Sequence, residues 1–115
     1  MKHIVIFIFI FYGYASASTL DCTVYHNGEM VSKRRVELPS QSRADLDEVA
    51  SFNIQIKNLG KNQFELEVFD ANGPSRTYSR GSLTSKEDLL SWTYWSRDAL
   101  IESSCQKVFN SILHD

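Results

Sequence analysis

The chain has 115 residues, 43% of them hydrophobic, and a formal net charge of −2 at pH 7. This length suits one small domain, and the slight acidic excess argues against nucleic-acid binding through a broad basic field. The sequence contains no Gly-x-Ser-x-Gly, His-Glu-x-x-His, phosphate-binding Gly loop or calcium loop. We therefore expect a protein that is not an enzyme and that needs no cofactor or metal.

The first 17 residues have the order of a cleaved signal peptide. Lys2 and His3 precede an uncharged apolar run at 4–12, and Ala15-Ser16-Ala17 supplies the small residues that a signal peptidase accepts. The run is shorter than the roughly 20 residues that a membrane span needs. We expect cleavage after Ala17, a secreted or periplasmic domain at 18–115, and no membrane span in the mature chain.

Strands are predicted wherever apolar and polar residues alternate. The turn at Asn27-Gly28 favours a hairpin, and so does the polar segment 58–62. The polar segment 40–50 predicts a loop or one helical turn. Glu65 and Glu67 alternate with apolar residues and are expected on the solvated face of their strand. The predicted strands lie at about 20–25, 30–38, 51–57, 64–68, 75–80 and 90–95.

The C-terminal segment supports two interpretations. A helical stripe places five residues on one face: Ile101, Cys105, Val108, Phe109 and Ile112. A strand at 100–108 would instead pair with 90–95 and bring Cys105 towards Cys22. The expected fold is mainly β, a small antiparallel β-sandwich or open barrel of about six or seven strands. A C-terminal helix, which would make the fold α+β, is the alternative.

The two cysteines, Cys22 and Cys105, predict one structural disulfide. An oxidising compartment favours the bond, and two cysteines allow only one intramolecular pairing. A zinc site would need four ligands, and only His26 and His114 are placed to add to the thiols. A bridge between these positions would hold the two ends of the domain together.

Charged clusters elsewhere are explained most simply as solvated groups. Asp45, Asp47 and Glu48 lack the Gly and the closing bidentate Glu of a calcium loop. Lys33-Arg34-Arg35 is a basic triplet on a strand, where alternation turns Arg34 away from its two neighbours. We expect neither cluster to be a ligand site.

The candidate binding residues are Arg76, Tyr78 and Arg80, with Trp95 as a further exposed aromatic. Arg76, Tyr78 and Arg80 follow one another at every second position, so a strand projects all three from one face. Arg, Tyr and Trp are enriched at interface hot spots. The alternative is a polar edge strand whose Arg residues prevent unwanted pairing. Trp92 points to the opposite face of the strand from Trp95 and is expected in the core.

These features favour a small non-catalytic binding protein whose partner is another protein in the envelope or extracellular space. A small-ligand carrier with a hollow barrel is an alternative, although the large aromatic residues favour a filled interior. An inhibitor of an extracellular hydrolase such as lysozyme is the other alternative.

The layout of an N-terminal Cys strand, a β meander and Cys105-Gln106 resembles the periplasmic inhibitors of C-type lysozyme. In that family a loop with a Ser-Gly-x-x-Tyr motif enters the lysozyme cleft, so the resemblance implies segment 72–78 as the corresponding loop. Here Gly73 and Tyr78 are five positions apart rather than three, and the Ser is displaced. We do not assign the chain to that family.

Overall fold

A computed structural model of the protein describes residues 17–109. The predicted signal peptide, apart from Ala17, and the end of the helical stripe at Ile112 lie outside these residues. Within them the chain forms strands and no helix, and accordingly no helix there could cross a membrane. The eight strands are β1 (Ser18–His26), β2 (Glu29–Leu38), β3 (Arg43–Val49), β4 (Phe52–Gly60), β5 (Gln63–Asp70), β6 (Ser75–Ser82), β7 (Leu90–Trp95) and β8 (Leu100–Lys107).

The strands form two four-stranded antiparallel sheets that pack face to face. Sheet A has the order β2-β1-β8-β7 and sheet B the order β3-β4-β5-β6. The expected mainly β sandwich is therefore confirmed, with eight strands where six or seven were expected. The chain runs as a meander, so β2 and β3 lie on one side of the sandwich and β6 and β7 on the other.

The additional strand is β3, which lies in the segment 40–50 that we expected to be a loop. Its pairing with β4 shifts register between Asp45 and Asp47, which marks a bulge. The bulge breaks the period of two, so the buried residues Leu46 and Val49 are three positions apart. Polar composition and a broken period together hide this strand from the sequence.

The C-terminal segment is strand β8, so the helical alternative is wrong for the described part of it. Ile101, Ser103 and Cys105 alternate inwards and are buried, and β8 pairs with both β1 and β7. A strand here supplies backbone partners to both β1 and β7, whereas a helix, whose backbone groups bond to one another, would leave the facing edges of β1 and β7 unpaired. The position between β1 and β7, rather than side-chain periodicity, decides the conformation.

The predicted central hairpin is confirmed. Side chains of β4 and β5 that point between the sheets are buried, including Ile54, Ile56 and Leu66, none of them exposed to solvent. Sheet A covers them from the other side with the inward residues of β1 and β8. The buried apolar residues are Leu20, Cys22, Val24, Leu38, Leu46, Val49, Phe52, Ile54, Ile56, Phe64, Leu66, Val68, Leu83, Leu90, Ile101 and Cys105.

The predicted disulfide is present. Cys22 and Cys105 are paired across β1 and β8, their Cα atoms are 4.1 Å apart, and both are buried. The bridge spans a sequence separation of 83 residues. In the chain-entropy account a loop of this length destabilises the unfolded chain by about 4–5 kcal/mol.

The two sides of the sandwich differ in how their strand edges meet. Between β6 and β7, Trp92 Nε1 donates to Thr77 Oγ1 at 2.9 Å and the Ser79 hydroxyl donates to the Ser91 carbonyl at 2.6 Å. Between β2 and β3 the structure has no hydrogen bond or ion pair in the described residues. We call the second side the open seam, bounded by the edges of β2 and β3.

Candidate functional site

The outer side of β6 carries Arg76, Tyr78 and Arg80, as the alternation predicts. Thr77 and Ser79 point the other way, to the β6–β7 side of the sandwich. Tyr78 is 55% exposed, and the two Arg side chains are 55% and 63% exposed. We call these three outward residues the β6 face.

Each arginine of the β6 face is paired with a carboxylate on β5. Arg80 donates to Glu65 Oε2 from Nη2 at 2.8 Å and from Nε at 3.2 Å. Arg76 Nη1 donates to Glu67 Oε2 at 2.5 Å. Both carboxylates are only 5% exposed, so our expectation that Glu65 and Glu67 are solvated is wrong.

A third cation, Lys57 on β4, completes the network from the other side of β5. Its Nζ lies 2.6 Å from Glu67 Oε1 and 3.8 Å from Glu65 Oε1. The ammonium charge of Lys57 therefore lies directly beside the buried Glu67 Oε1 and compensates its negative charge. The long side chains of β4 and β6 thus cover the two carboxylates from both sides, which explains their burial on the outer face of a sheet.

The network changes the acidity of Glu67. The Lys57 ammonium beside it holds the pKa of this carboxyl below its usual range, and Arg76 acts in the same direction, while burial opposes both. Glu67 therefore stays ionised to a lower pH than an ordinary glutamate does. Three cations surround two carboxylates, so the patch carries one net positive charge.

The surroundings of the β6 face are shaped for contact rather than for enclosure. The Arg76 guanidinium carbon lies 4.9 Å above the centre of the Phe69 ring, a cation–π arrangement that orients the side chain. An open depression of about 480 Å³ is lined by Glu65, Tyr78 and Arg80. The phenol ring of Tyr78 therefore stands between two guanidinium groups whose positions are set by neighbouring strands.

Trp95 does not belong to this surface. It lies at the end of β7 in sheet A and is 83% exposed. Trp92 and Tyr94 point to the other side of β7 and pack against Phe52 at ring-centre distances of 5.7 and 4.7 Å. Trp92 is half-buried at the margin of the core rather than inside it.

The two charged clusters discussed from sequence lie on the strands of the open seam. Lys33, Arg34 and Arg35 are exposed on β2, and Asp45, Asp47 and Glu48 are on β3. Residues 17–109 contain no group of three His, Cys, Asp or Glu side chains placed to share a metal ion. The acidic cluster on β3 therefore has no metal-site geometry in this part of the chain.

Sequence reasoning missed the parts played by Lys57, Glu65 and Glu67. The antiparallel register places Lys57 opposite Glu65, Glu65 opposite Arg80, and Glu67 opposite Tyr78. Opposite charges at facing positions of a predicted hairpin were the available signal. Single-strand alternation could not reveal it, because it assigns a face but not the neighbours that cover that face.

Comparison with known proteins gives no match to a family model, to a curated protein or to a solved structure.

Proposed function

We propose that the protein is a non-catalytic binding protein that recognises another protein through the β6 face. The observation that carries the proposal is the half-exposed Tyr78 standing between Arg76 and Arg80, each guanidinium anchored to a buried carboxylate. Tyr and Arg at a site centre are the residue types that dominate interface energies.

Anchoring reduces the entropic cost of binding. A free Arg side chain loses about 0.5–1.5 kcal/mol of conformational freedom when an interface immobilises it. Here Glu65 and Glu67 have already fixed much of that freedom before a partner arrives. Both Arg side chains are more than half exposed, so a partner's carboxylates or backbone carbonyls can accept from the remaining guanidinium donors.

A surface site fits this molecule better than an interior one. The space between the sheets is filled by side chains such as Phe64 and Leu66, neither of them exposed to solvent. The depression beside Tyr78 is lined by residues of the outer surface and by no residue of the hydrophobic core. These features support a protein-binding role over that of a small-ligand carrier.

The compartment we propose for the interaction is the envelope or the extracellular space, where the expected signal peptide would deliver the chain and the buried disulfide is stable.

The test is affinity measurement on a partner isolated from the native envelope or culture medium. We expect Tyr78→Ala to bind at least about tenfold more weakly, equivalent to about 1.4 kcal/mol. The melting temperature of this variant should stay unchanged, because Tyr78 is half-exposed. Leu89→Ala is the control, a large exposed side chain outside the β6 face, and should bind normally. If Tyr78→Ala and Arg80→Ala bind as the parent does, the β6 face is a solvated edge and the proposal fails.

The inhibitor alternative is tested by measuring the activity of extracellular hydrolases, lysozyme among them, in the presence of the protein. Addition of a stoichiometric excess of the protein should lower the activity of a hydrolase partner, and Tyr78→Ala should relieve that inhibition. A partner whose activity is unaffected would place the protein among adaptors rather than inhibitors.

A further inference from the structure

The edges of β2 and β3 carry opposite charges. On β2 the basic triplet Lys33, Arg34 and Arg35 lies in the middle of the strand, and on β3 the acidic residues are Asp45, Asp47 and Glu48. Arg35 is paired with Asp21 of the same sheet at 2.8 Å. The other five residues form no ion pair within residues 17–109.

Both edges are available for pairing. Each strand is hydrogen-bonded on one side only, β2 to β1 and β3 to β4. No hydrogen bond joins β2 to β3 in the described residues, whereas the opposite side of the sandwich is bridged by Trp92 and Ser79. An edge strand with free backbone groups is a template for a further strand.

We propose that the open seam is a dimer interface, in which β2 of each copy pairs with β3 of the other copy. A two-fold axis parallel to the strands, placed at the seam, exchanges the two sheets. Sheet A of one copy is thereby continued by sheet B of its partner, and the reverse holds at the same time. Because both pairings form together, the assembly closes as a dimer with the same surface used twice.

The strand directions agree with this symmetry. The short connection 39–42 makes β2 and β3 run in opposite directions, and rotation about an axis parallel to the strands preserves each direction. The β2 strand of one copy is therefore antiparallel to β3 of the other, which is the pairing found throughout both sheets.

The charges also meet at the same height. Rotation about this axis preserves position along the strands, and both clusters lie within about five residues of the connection 39–42. The same rotation places the outer face of sheet A in one copy beside the outer face of sheet B in the other copy. Lys33, opposite Thr23 on the outer face, then lies near Glu48, which is opposite Asn53 on the outer face of sheet B.

The remaining members of the two clusters fit the same arrangement. Arg34 is opposite the inward Cys22, and Asp47 is opposite the inward Ile54, so these two meet on the inner side. Opposite charges at facing positions of neighbouring strands stabilise the pair by roughly 0.2–1 kcal/mol each.

Other pairings of the same edges are disfavoured. Joining β2 to β2 would place one basic triplet against another, and joining β3 to β3 would oppose acidic residues. The charge pattern therefore selects the mixed pairing. The dimer leaves both β6 faces free on the far sides of the sandwiches, so this proposal goes beyond the proposed function and can be tested without a partner.

Sedimentation velocity of the purified protein over a range of concentrations is the primary measurement. We expect a monomer–dimer equilibrium whose dissociation constant rises with salt, because partly exposed ion pairs are screened. A monomer at all concentrations in low salt would overturn the proposal. Species larger than a dimer would overturn the closed two-fold arrangement.

Two double variants with reversed charges make the test specific for the pairing of β2 with β3. Lys33→Glu with Arg34→Glu makes both edges acidic, and Asp47→Lys with Glu48→Lys makes both edges basic. Each double variant alone should dimerise at least tenfold more weakly, whereas their equimolar mixture should form a heterodimer. Lys86→Glu with Glu87→Lys in the exposed connection between β6 and β7 is the control and should leave dimerisation unchanged. Unchanged melting of each disulfide-bonded monomer establishes that the fold is intact, and a mixture that stays monomeric would refute the pairing of β2 with β3.

Discussion

Replacing Glu67 by Gln tests the most unexpected feature of the structure, a buried carboxylate on the outer face of a sheet. The substitution keeps the shape of the side chain and removes its charge. It leaves Arg76, at 2.5 Å, without its carboxylate partner, and it leaves Lys57, at 2.6 Å from Glu67, with only the more distant Glu65 at 3.8 Å. We expect Glu67→Gln to lower the free energy of unfolding at pH 7.

The expected loss is about 1–2 kcal/mol. A hydrogen bond to a charged group contributes roughly 1.5–3 kcal/mol, and a fully exposed ion pair about 0–1 kcal/mol. Glu67 itself is buried, but the side chains of Arg76 and Lys57 are 55% and 27% exposed. Water can therefore hydrate the cations once the carboxylate is gone, which places the loss between these two limits.

The pH dependence follows from the lowered pKa of Glu67. A carboxyl whose pKa is lower in the folded than in the unfolded chain stabilises the fold fully above its unfolded pKa, about 4.3 for Glu. That contribution is lost as the pH falls through the lower folded pKa. The Gln variant cannot titrate at this position, so the difference between parent and variant should shrink as the pH falls from about 5 towards 3.

Urea unfolding at pH 7 and at pH 3, followed by Trp fluorescence, measures both effects. Trp92 packs against Phe52 at the margin of the core and reports the loss of tertiary structure. Glu87→Gln, at an exposed position outside the network, is the matched control and should match the parent at both pH values. Equal stability of Glu67→Gln and the parent at pH 7, or a difference independent of pH, would refute the electrostatic account.

Four further substitutions examine other parts of the fold. Cys105→Ala should lower the free energy of unfolding by about 2–5 kcal/mol, because the bridge closes a separation of 83 residues. Thermal unfolding measures this loss, and unchanged stability would mean that the bond does not restrain the unfolded chain. Ile54→Ala and Leu66→Ala should each lower stability by about 2–5 kcal/mol in urea, since neither side chain is exposed, and an effect below 0.5 kcal/mol at either position would contradict the packing. Ser103→Ala should leave stability unchanged or raise it by up to about 1 kcal/mol, because the buried hydroxyl has no hydrogen-bond partner; a marked loss of stability would show that this hydroxyl is satisfied in solution.

Some of the candidate site follows from the sequence, and some does not. The alternation at Arg76, Tyr78 and Arg80 correctly places the three side chains on one face, because a period of two is enforced by the backbone of any strand. Glu65 and Glu67 obey the same rule, yet their solvent exposure is wrongly predicted. The exposure of a side chain depends on which long side chains cover it from neighbouring strands. Predicting it therefore requires the order of the strands in the sheet.

Likewise, some parts of the fold follow from the sequence and others do not. Local signals sufficed for the Asn27-Gly28 turn, where both residues have positive φ, and for the hairpin of β4 and β5. They failed for β3, whose bulge interrupts the period, and they left the C-terminal segment undecided between helix and strand.

The sequence by itself determined the sheet-forming segments with regular alternation, the pairing of the only two cysteines and the one-sided display of the β6 face. Each of these depends on the backbone period or on simple chemical pairing. Only the tertiary structure decided that β8 is a strand, that Glu65 and Glu67 are buried, and that the edges of β2 and β3 lie beside each other with opposite charge. These outcomes depend on which strands become neighbours, because covering a side chain, completing a hydrogen-bond ladder and opposing two charges all require residues that are distant in the chain.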